Sequence, residues 1–235
     1  MSYPEFCLQT ISAGDWWVEQ DSPHACRGAL VYTFINHFDQ APYTFTPVGR
    51  SQPTEHRHAV VEVAPLKIGE RLKRDRLPVA GMPVHDDEVW AAHRAKKRPC
   101  IVFSQKSPLV EKTLTRGKPN YSTAPTMLVA PFYGANPTDK RLGFKEEFIQ
   151  RVQHCTYPQF HWDMIPGSST PESILRLDQL QPMGVAQSAY YPTGLMLSAE
   201  AMSLLEEMLF WLRMGGLPED SDIIQYQKIV AENFK

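Results

Sequence analysis

The sequence predicts an α+β protein that is mainly β, with short strands packed against one strong helix near the C-terminus. Twenty prolines divide the 235 residues into short pieces, which favours strands and loops over a helical bundle. Several of these pieces are rich in β-branched and aromatic residues, as strands are. Only residues 197–216 carry a long, clear helical periodicity of apolar residues. Strands this short usually close into a barrel that hides their edges.

The predicted strands are identified by composition and by the Gly, Pro and polar residues between them. Residues 100–103 form a continuous apolar run, which is typical of a strand covered on both faces. The segment 124–134 has the same covered character. In chain order, a turn followed by a short strand is predicted at 11–20, and strands are predicted at 27–38, 57–66, 99–104, 124–134, 159–167 and 171–183.

The strand predicted at 159–167 has a different pattern. Phe160, Trp162 and Met164 alternate with His161 and Asp163. Since successive side chains of a strand point to opposite faces, this alternation predicts a half-buried strand with its polar residues in solvent.

Two helices and several loops complete the predicted elements. The apolar face of residues 142–155 indicates a short amphipathic helix. In the longer helix, Ser198 is the expected N-cap and Gly215 the expected stop. The tail at 220–234 is compatible with one more short helix. The remaining polar, Gly- and Pro-containing segments are predicted to be loops at 46–54, 67–88 and 107–123.

Composition excludes several classes of protein. A formal net charge of −2 provides no bulk basic field for nucleic acid, although a local patch is still allowed. The four cysteines form no CxxC pair, so we expect no zinc knuckle and no metal. The N-terminus lacks the pattern of a signal peptide, and the apolar run at 29–35 is far too short to span a bilayer. We therefore expect a cytoplasmic protein with reduced thiols and no membrane contact.

A basic run meets a proline at residues 96–99. Pro99 suits the first position of a strand, because it cannot donate a backbone hydrogen bond. Arg98 is thus expected where a loop meets a rigid element. It is either an ordinary surface arginine or an arginine that is held at a fixed position for a function.

Three sequence blocks in order resemble the MazF/PemK (Kid) toxin family. They are "KKRPCIVFS" (96–104), "PTMLVAPFYG" (125–134) and "ESILRLDQLQP" (172–182), the last containing the pattern R-x-D-Q at 176–179. The resemblance covers roughly residues 88–214. It implies an SH3-like small barrel with a C-terminal helix and with a large insertion or N-terminal extension. The implied segments are 1–87, 88–216 and 217–235, and the first barrel strand is either 13–18 or 87–93.

The resemblance implies metal-independent cleavage of single-stranded RNA by a homodimer that an antitoxin protein inhibits, with no cofactor. Arg98 matches an arginine at the scissile phosphate. Arg176 and Asp178 match a phosphate-stabilising arginine and a catalytic acid or base. His93 matches a family histidine loosely, and Tyr133 replaces the threonine or serine of MazF proteins. We take these five residues as the catalytic candidates.

Lys96, Lys97 and Trp90 are the candidates for RNA binding, because cations can contact the phosphates and an aromatic ring can stack on a base. Each candidate also has an ordinary explanation. The lysines are compatible with a solvated charge run, and Arg176 with Asp178 are compatible with a same-face ion pair. An inactive barrel that binds protein or nucleic acid is therefore the alternative function.

Overall fold

We describe the protein from a computed structural model, which covers residues 3–67, 69, 82, 88–119, 122–138, 142–168 and 172–233. Within these ranges the fold is α+β, with mostly antiparallel strands and three α-helices, which confirms the predicted class. The chain divides into two compact units. One contains Met1–Phe34 and Lys97–Lys235, and the other contains Ile35–Lys96. The segments expected from the resemblance divide the chain at other positions.

The described secondary structure contains eleven strands and three α-helices, besides short 3-10 turns. The helices are α1 (Glu146–Gln153), α2 (Ala199–Met214) and α3 (Asp222–Asn233). The strands are β1 (Trp17–Glu19), β2 (Ala29–Asn36), β3 (Tyr43–Gly49), β4 (Val60–Pro65), β5 (Trp90–Ala92), β6 (Ala95–Val102), β7 (Thr126–Gly134), β8 (Phe160–Met164), β9 (Glu172–Arg176), β10 (Gln181–Gly184) and β11 (Tyr191–Leu197).

The larger sheet has, over the described ranges, the strand order β1-β11-β2-β6-β7-β9-β8. Strand β10 is a further partner of β7. One edge of β7 pairs with β6, whereas the other edge pairs with β10 near its start and with β9 near its end. A 3-10 turn at Leu177–Gln179 joins β9 to β10. This turn therefore lies beside β7, between its two partners.

Helices α2 and α3 bury their apolar side chains in the main core of the first unit. Leu205 and Met208 of α2 and Ile223 of α3 are fully buried there, together with Ile101 and Phe132 of the sheet. The predicted ends of α2 are confirmed. The Ser198 side chain accepts a hydrogen bond from the Ala201 N–H, and Gly215 ends the helix with a φ of 78°, a left-handed conformation that glycine adopts without strain.

The second unit contains a three-stranded sheet in the order β4-β3-β5. The sequence predicted a loop at 46–54, but β3 extends through Gly49 and contains Pro47. Pro47 is tolerated because β5 pairs only with Tyr43–Phe45, so no partner on that edge needs an N–H at residue 47. The loop predicted at 67–88 lies mostly outside the described residues.

Three other strand predictions need correction. The segment 171–183 is not one strand but β9 and β10, separated by the 3-10 turn. Strand β6 begins at Ala95, so the basic run belongs to the strand rather than to a loop before it. Strand β11 has no counterpart among the predicted strands. In each case pairing with a distant strand decides the outcome, and local composition does not report it.

Strand β8 is covered on both faces, contrary to the predicted half-burial. Asp163 is fully buried and His161 is 1% exposed. The Asp163 carboxylate accepts hydrogen bonds from the Tyr3 hydroxyl at 3.0 Å, from the Trp16 indole at 2.9 Å and from the Trp17 indole at 3.3 Å. It also accepts a hydrogen bond from the backbone N–H of Met164, the next residue in the strand, at 2.7 Å. These donors replace the water that a buried carboxylate loses.

The N-terminal segment supplies nearly all of these partners. The Trp16 ring stacks on the His161 ring with centroids 5.3 Å apart. The Gln9 side chain donates to the Trp162 carbonyl oxygen at 2.7 Å. Burial and the neighbouring carboxylate raise the pKa of the Tyr3 phenol, so this hydroxyl stays protonated and keeps donating. Residues 3–17 are thus attached to β8 through buried polar contacts.

We expect Asp163→Asn to lower the free energy of unfolding by about 2 kcal/mol or more, because the charged acceptor of several buried donors is lost while the shape is kept. Urea unfolding measures this change. Asp178→Asn is the matched control, since this carboxylate is 32% exposed in its ion pair, and we expect it to cost no more than about 1 kcal/mol. Equal losses in the two variants would contradict the importance of the buried contacts.

Candidate functional site

Four of the five catalytic candidates lie together in the first unit. Arg98 comes from β6, Tyr133 from β7, Arg176 from the end of β9 and Asp178 from the 3-10 turn that follows. They belong to three separate sequence blocks, and the strand order β6-β7-β9 makes these blocks neighbours.

Arg98 stacks on the ring of Tyr133. Strands β6 and β7 pair Cys100 with Pro131, and the same register continued by two residues sets Arg98 opposite Tyr133. The Cζ atom of Arg98 lies 3.7 Å from the centroid of the tyrosine ring. A guanidinium at this distance has a favourable cation–π interaction with the ring.

Arg176 extends this arrangement across β9. It pairs directly with Phe160 of β8, and its Cζ atom lies 5.0 Å from the Phe160 ring centroid. The same atom lies 5.7 Å from the centroid of Tyr133. Phe160, Arg176, Tyr133 and Arg98 therefore form a row of alternating rings and guanidinium groups across four strands. We call this row the aromatic–arginine ladder.

The turn after β9 provides the acidic and amide groups of the site. Nε and Nη2 of Arg176 donate to the two carboxylate oxygens of Asp178 at 2.7 and 2.6 Å. The side chains of the pair are 26% and 32% exposed. The hydroxyl of Tyr133 donates to the Oε1 atom of Gln179. The segment 176–179 thus fixes one guanidinium directly and the tyrosine ring through its hydroxyl.

A buried thiol lies next to Arg98 on the same face of β6. Cys100 shares a face of β6 with Arg98 and is fully buried. Burial raises the pKa of its thiol to about 12, although the Arg98 guanidinium acts to lower it. The thiol is therefore neutral at physiological pH.

This arrangement suits the binding of a phosphate group. Guanidinium forks match pairs of phosphate oxygens, and two of them lie on one partly exposed surface. A carboxylate that can accept a proton and a hydroxyl that can donate one lie within the same row of contacts. These are the group types that a transfer at phosphorus needs.

Lys97 lies apart from the ladder. It follows the alternation of β6, so its side chain leaves the face opposite to that of Arg98. Its Nζ atom lies 5.7 Å from the ring centroid of Tyr32 and 5.6 Å from that of Tyr191. The two basic residues are adjacent in sequence, but the sheet separates their side chains.

The other three candidates belong to the Ile35–Lys96 unit. The His93 ring packs edge-on against Phe38 with centroids 4.8 Å apart. Trp90 lies on β5 opposite Phe45 and is 44% exposed. Lys96 is exposed at the start of β6. Their catalytic and RNA-binding roles stay predictions.

The sequence reasoning assigned no role to two members of the site. Gln179 closes the R-x-D-Q pattern, so its position next to Asp178 was a signal that could have been used. Phe160 is directly opposite Arg176, and only the pairing of β8 with β9 reveals this. Within the part of the chain that the structure describes, no group of three or more His, Cys, Asp or Glu residues could hold a metal ion.

Comparison with known proteins does not identify a family. No protein-family model matches the chain, and no curated protein matches it.

We expect Arg98→Gln and Tyr133→Leu to be coupled in a double-mutant cycle. The coupling energy in urea unfolding should be about 1 kcal/mol, because each single change removes the same cation–π contact. The control cycle pairs Lys97→Gln with Tyr133→Leu. It should give a value near zero, since Lys97 contacts other rings. Equal coupling in the two cycles would contradict the stacking of Arg98 on Tyr133.

Proposed function

We propose that the protein is a metal-independent endoribonuclease of the MazF/PemK type that cleaves single-stranded RNA as the toxin of a toxin–antitoxin pair. One observation carries the proposal. The residues that the sequence resemblance selects from three separate blocks, Arg98, Tyr133, Arg176 and Asp178, are in contact with one another through stacking and ion pairing.

We further infer that the larger sheet is an SH3-like small barrel. The pairing of β7 supports this, because one of its edges serves two successive strands, β9 and β10, that a 3-10 turn connects. Such a change of partner along one strand lets a sheet curve toward closure. The implied insertion or N-terminal extension, residues 1–87, would then include most of the Ile35–Lys96 unit.

In the proposed reaction, Arg98 and Arg176 hold the two non-bridging oxygens of the scissile phosphate. The ribose 2′-hydroxyl attacks the adjacent phosphorus, and Asp178 accepts its proton. The bond from phosphorus to the 5′-oxygen breaks as this oxygen receives a proton. The products are a 2′,3′-cyclic phosphate and a 5′-hydroxyl. The guanidinium groups stabilise the additional negative charge of the phosphorane.

The resemblance offers Tyr133 or His93 as the proton donor to the leaving 5′-oxygen. Tyr133 is already part of the ladder, and its hydroxyl would have to turn from Gln179 toward the substrate. His93 belongs to the other unit, so its role stays a prediction and Tyr133 is the donor that the ladder itself supplies.

A homodimer and an antitoxin partner complete the proposal, with the cytoplasm as the place of action. The end of α2 supports self-association, because Phe210 and Met214 are 43% and 65% exposed there. No described helix has both the length and the apolar character that crossing a membrane requires.

The second candidate function is an inactive barrel that binds nucleic acid or protein. The ion pair of Asp178 favours it, because both carboxylate oxygens accept hydrogen bonds from Arg176. Both oxygens are therefore engaged before a substrate hydroxyl can approach them. Tyr133 is also bulkier than the threonine or serine of MazF proteins.

We expect the purified protein to cut pooled RNA in the presence of EDTA and to leave 5′-hydroxyl and 2′,3′-cyclic phosphate ends. Arg98→Ala and Asp178→Asn should each lower the cleavage rate by about 100-fold or more, because each removes a charge that acts in the transition state. Sequencing of the new ends measures the site and the rate of cutting.

Arg27→Ala is the control for loss of a positive charge. Arg27 lies in the same unit and forms an ion pair with Glu206 at 2.7 Å, so its replacement should leave cleavage unchanged. RNA that stays intact with wild-type protein, together with retained RNA binding, would support the inactive barrel. Cleavage that Arg98→Ala does not alter would reject the proposed site.

A further inference from the structure

A second cluster of rings and a cation lies on the other face of the sheet. Tyr32 of β2 is directly opposite Tyr191 of β11. Phe34 follows Tyr32 by two residues, so it shares the same face of β2. Lys97 of β6 reaches both tyrosine rings with its ammonium group, at 5.7 and 5.6 Å. We call these four residues the tyrosine–lysine patch.

The outer rings of the patch are open to solvent. Phe34 is 69% exposed and Tyr191 is 64% exposed. The same face is closed further along the strands, where Leu30, Ile101 and Leu197 are buried in the core that contains α2. The patch is therefore the part of this face that α2 does not cover. Large exposed rings on neighbouring strands indicate a binding surface rather than a solvated one.

Lys97 gives the patch a positive charge. Among the described residues, no carboxylate forms an ion pair with Lys97. Its charge lies over the tyrosine rings and can still attract an anion. Flat apolar surfaces next to an unneutralised ammonium group match a ligand that is both aromatic and anionic.

We propose that the tyrosine–lysine patch binds single-stranded nucleic acid, with bases stacked on Tyr191 and Phe34 and a backbone phosphate at Lys97. Every base has a flat π-surface, so stacking of this kind tolerates any sequence. The inference rests on the proposed function, for which the patch supplies a second contact with the RNA. Since Lys97 and Arg98 leave opposite faces of β6, the patch holds nucleotides that are distant from the scissile phosphate.

The test uses a fluorescein-labelled all-deoxy oligothymidylate of about 16 nucleotides, which is within the range that such surfaces bind. It lacks the 2′-hydroxyl, so it reports binding without cleavage. Fluorescence anisotropy with the full-length protein gives the dissociation constant. Tyr191→Ala and Phe34→Ala should each raise this constant by about tenfold, the effect expected from the loss of one stacked base.

Two further variants separate stacking from charge. Tyr191→Phe should bind like the wild type, because the ring is kept. The logarithm of the association constant falls as the logarithm of the salt concentration rises. Lys97→Gln should make this slope less steep by about 0.7, the value for one phosphate contact on a single strand. Tyr43→Ala is the matched control, since Tyr43 is a 50% exposed tyrosine on a strand of the other unit, and it should leave binding unchanged.

The outcomes separate this proposal from the proposed ribonuclease. Oligothymidylate binding that depends on Tyr191 supports the patch even if pooled RNA stays intact. Cleavage that depends on Arg98, combined with oligothymidylate binding that Tyr191→Ala and Phe34→Ala do not change, overturns the patch alone. Absence of binding by the wild type also overturns it. A fall in apparent molecular mass of Tyr191→Ala on gel filtration, without loss of binding, would instead assign the patch to self-association.

Discussion

The buried carboxylate of Asp163 is the constraint on which much of the first unit depends. Its removal from water is tolerable only because a hydroxyl, two indoles and a backbone N–H donate to it. Three of these donors come from the first seventeen residues, so the chain can bury β8 only when its N-terminus is in place. Strand β8 in turn pairs with β9, the strand that carries Arg176. The arrangement of the candidate site thus depends on contacts between Asp163 and the N-terminal segment, which lies more than a hundred residues earlier in the sequence.

The strand predictions fail where long-range pairing overrides the local pattern. The alternation of Phe160 to Met164 is that of a half-buried strand, and nothing local indicates that Asp163 and His161 would find partners in the N-terminal segment. Helix α2 could be predicted almost to the residue, because its cap, its apolar stripe and its glycine stop are all local. The full length of strand β3 was not predicted, because Pro47 is a residue that locally disfavours strands. It is tolerated here because β5 does not pair with residue 47.

The candidate site also depends on long-range pairing that local sequence patterns do not report. Arg98, Tyr133, Arg176 and Asp178 could be selected only through resemblance in three blocks, because no local pattern relates residue 98 to residue 176. Their stacking depends on the registers of two strand pairs, which the sequence does not give. The separation of Lys97 from Arg98 follows from alternation once β6 is known to include both residues. The prediction placed the start of that strand at Pro99, so it could not assign the two cations to opposite faces.

Strand β6 carries the aromatic–arginine ladder on one face and the tyrosine–lysine patch on the other. This limits which insertions and deletions the strand can tolerate. Cys100–Val102 hold the register with β7, so deleting Pro99 would bring Lys97 opposite Tyr133 and turn Arg98 to the face that carries Tyr32. A change of two residues would keep the faces and shift only their position along the strand. Length variation in this segment is therefore expected in even steps among functional descendants of this chain, whereas the loops on either side of the strand are free of this rule.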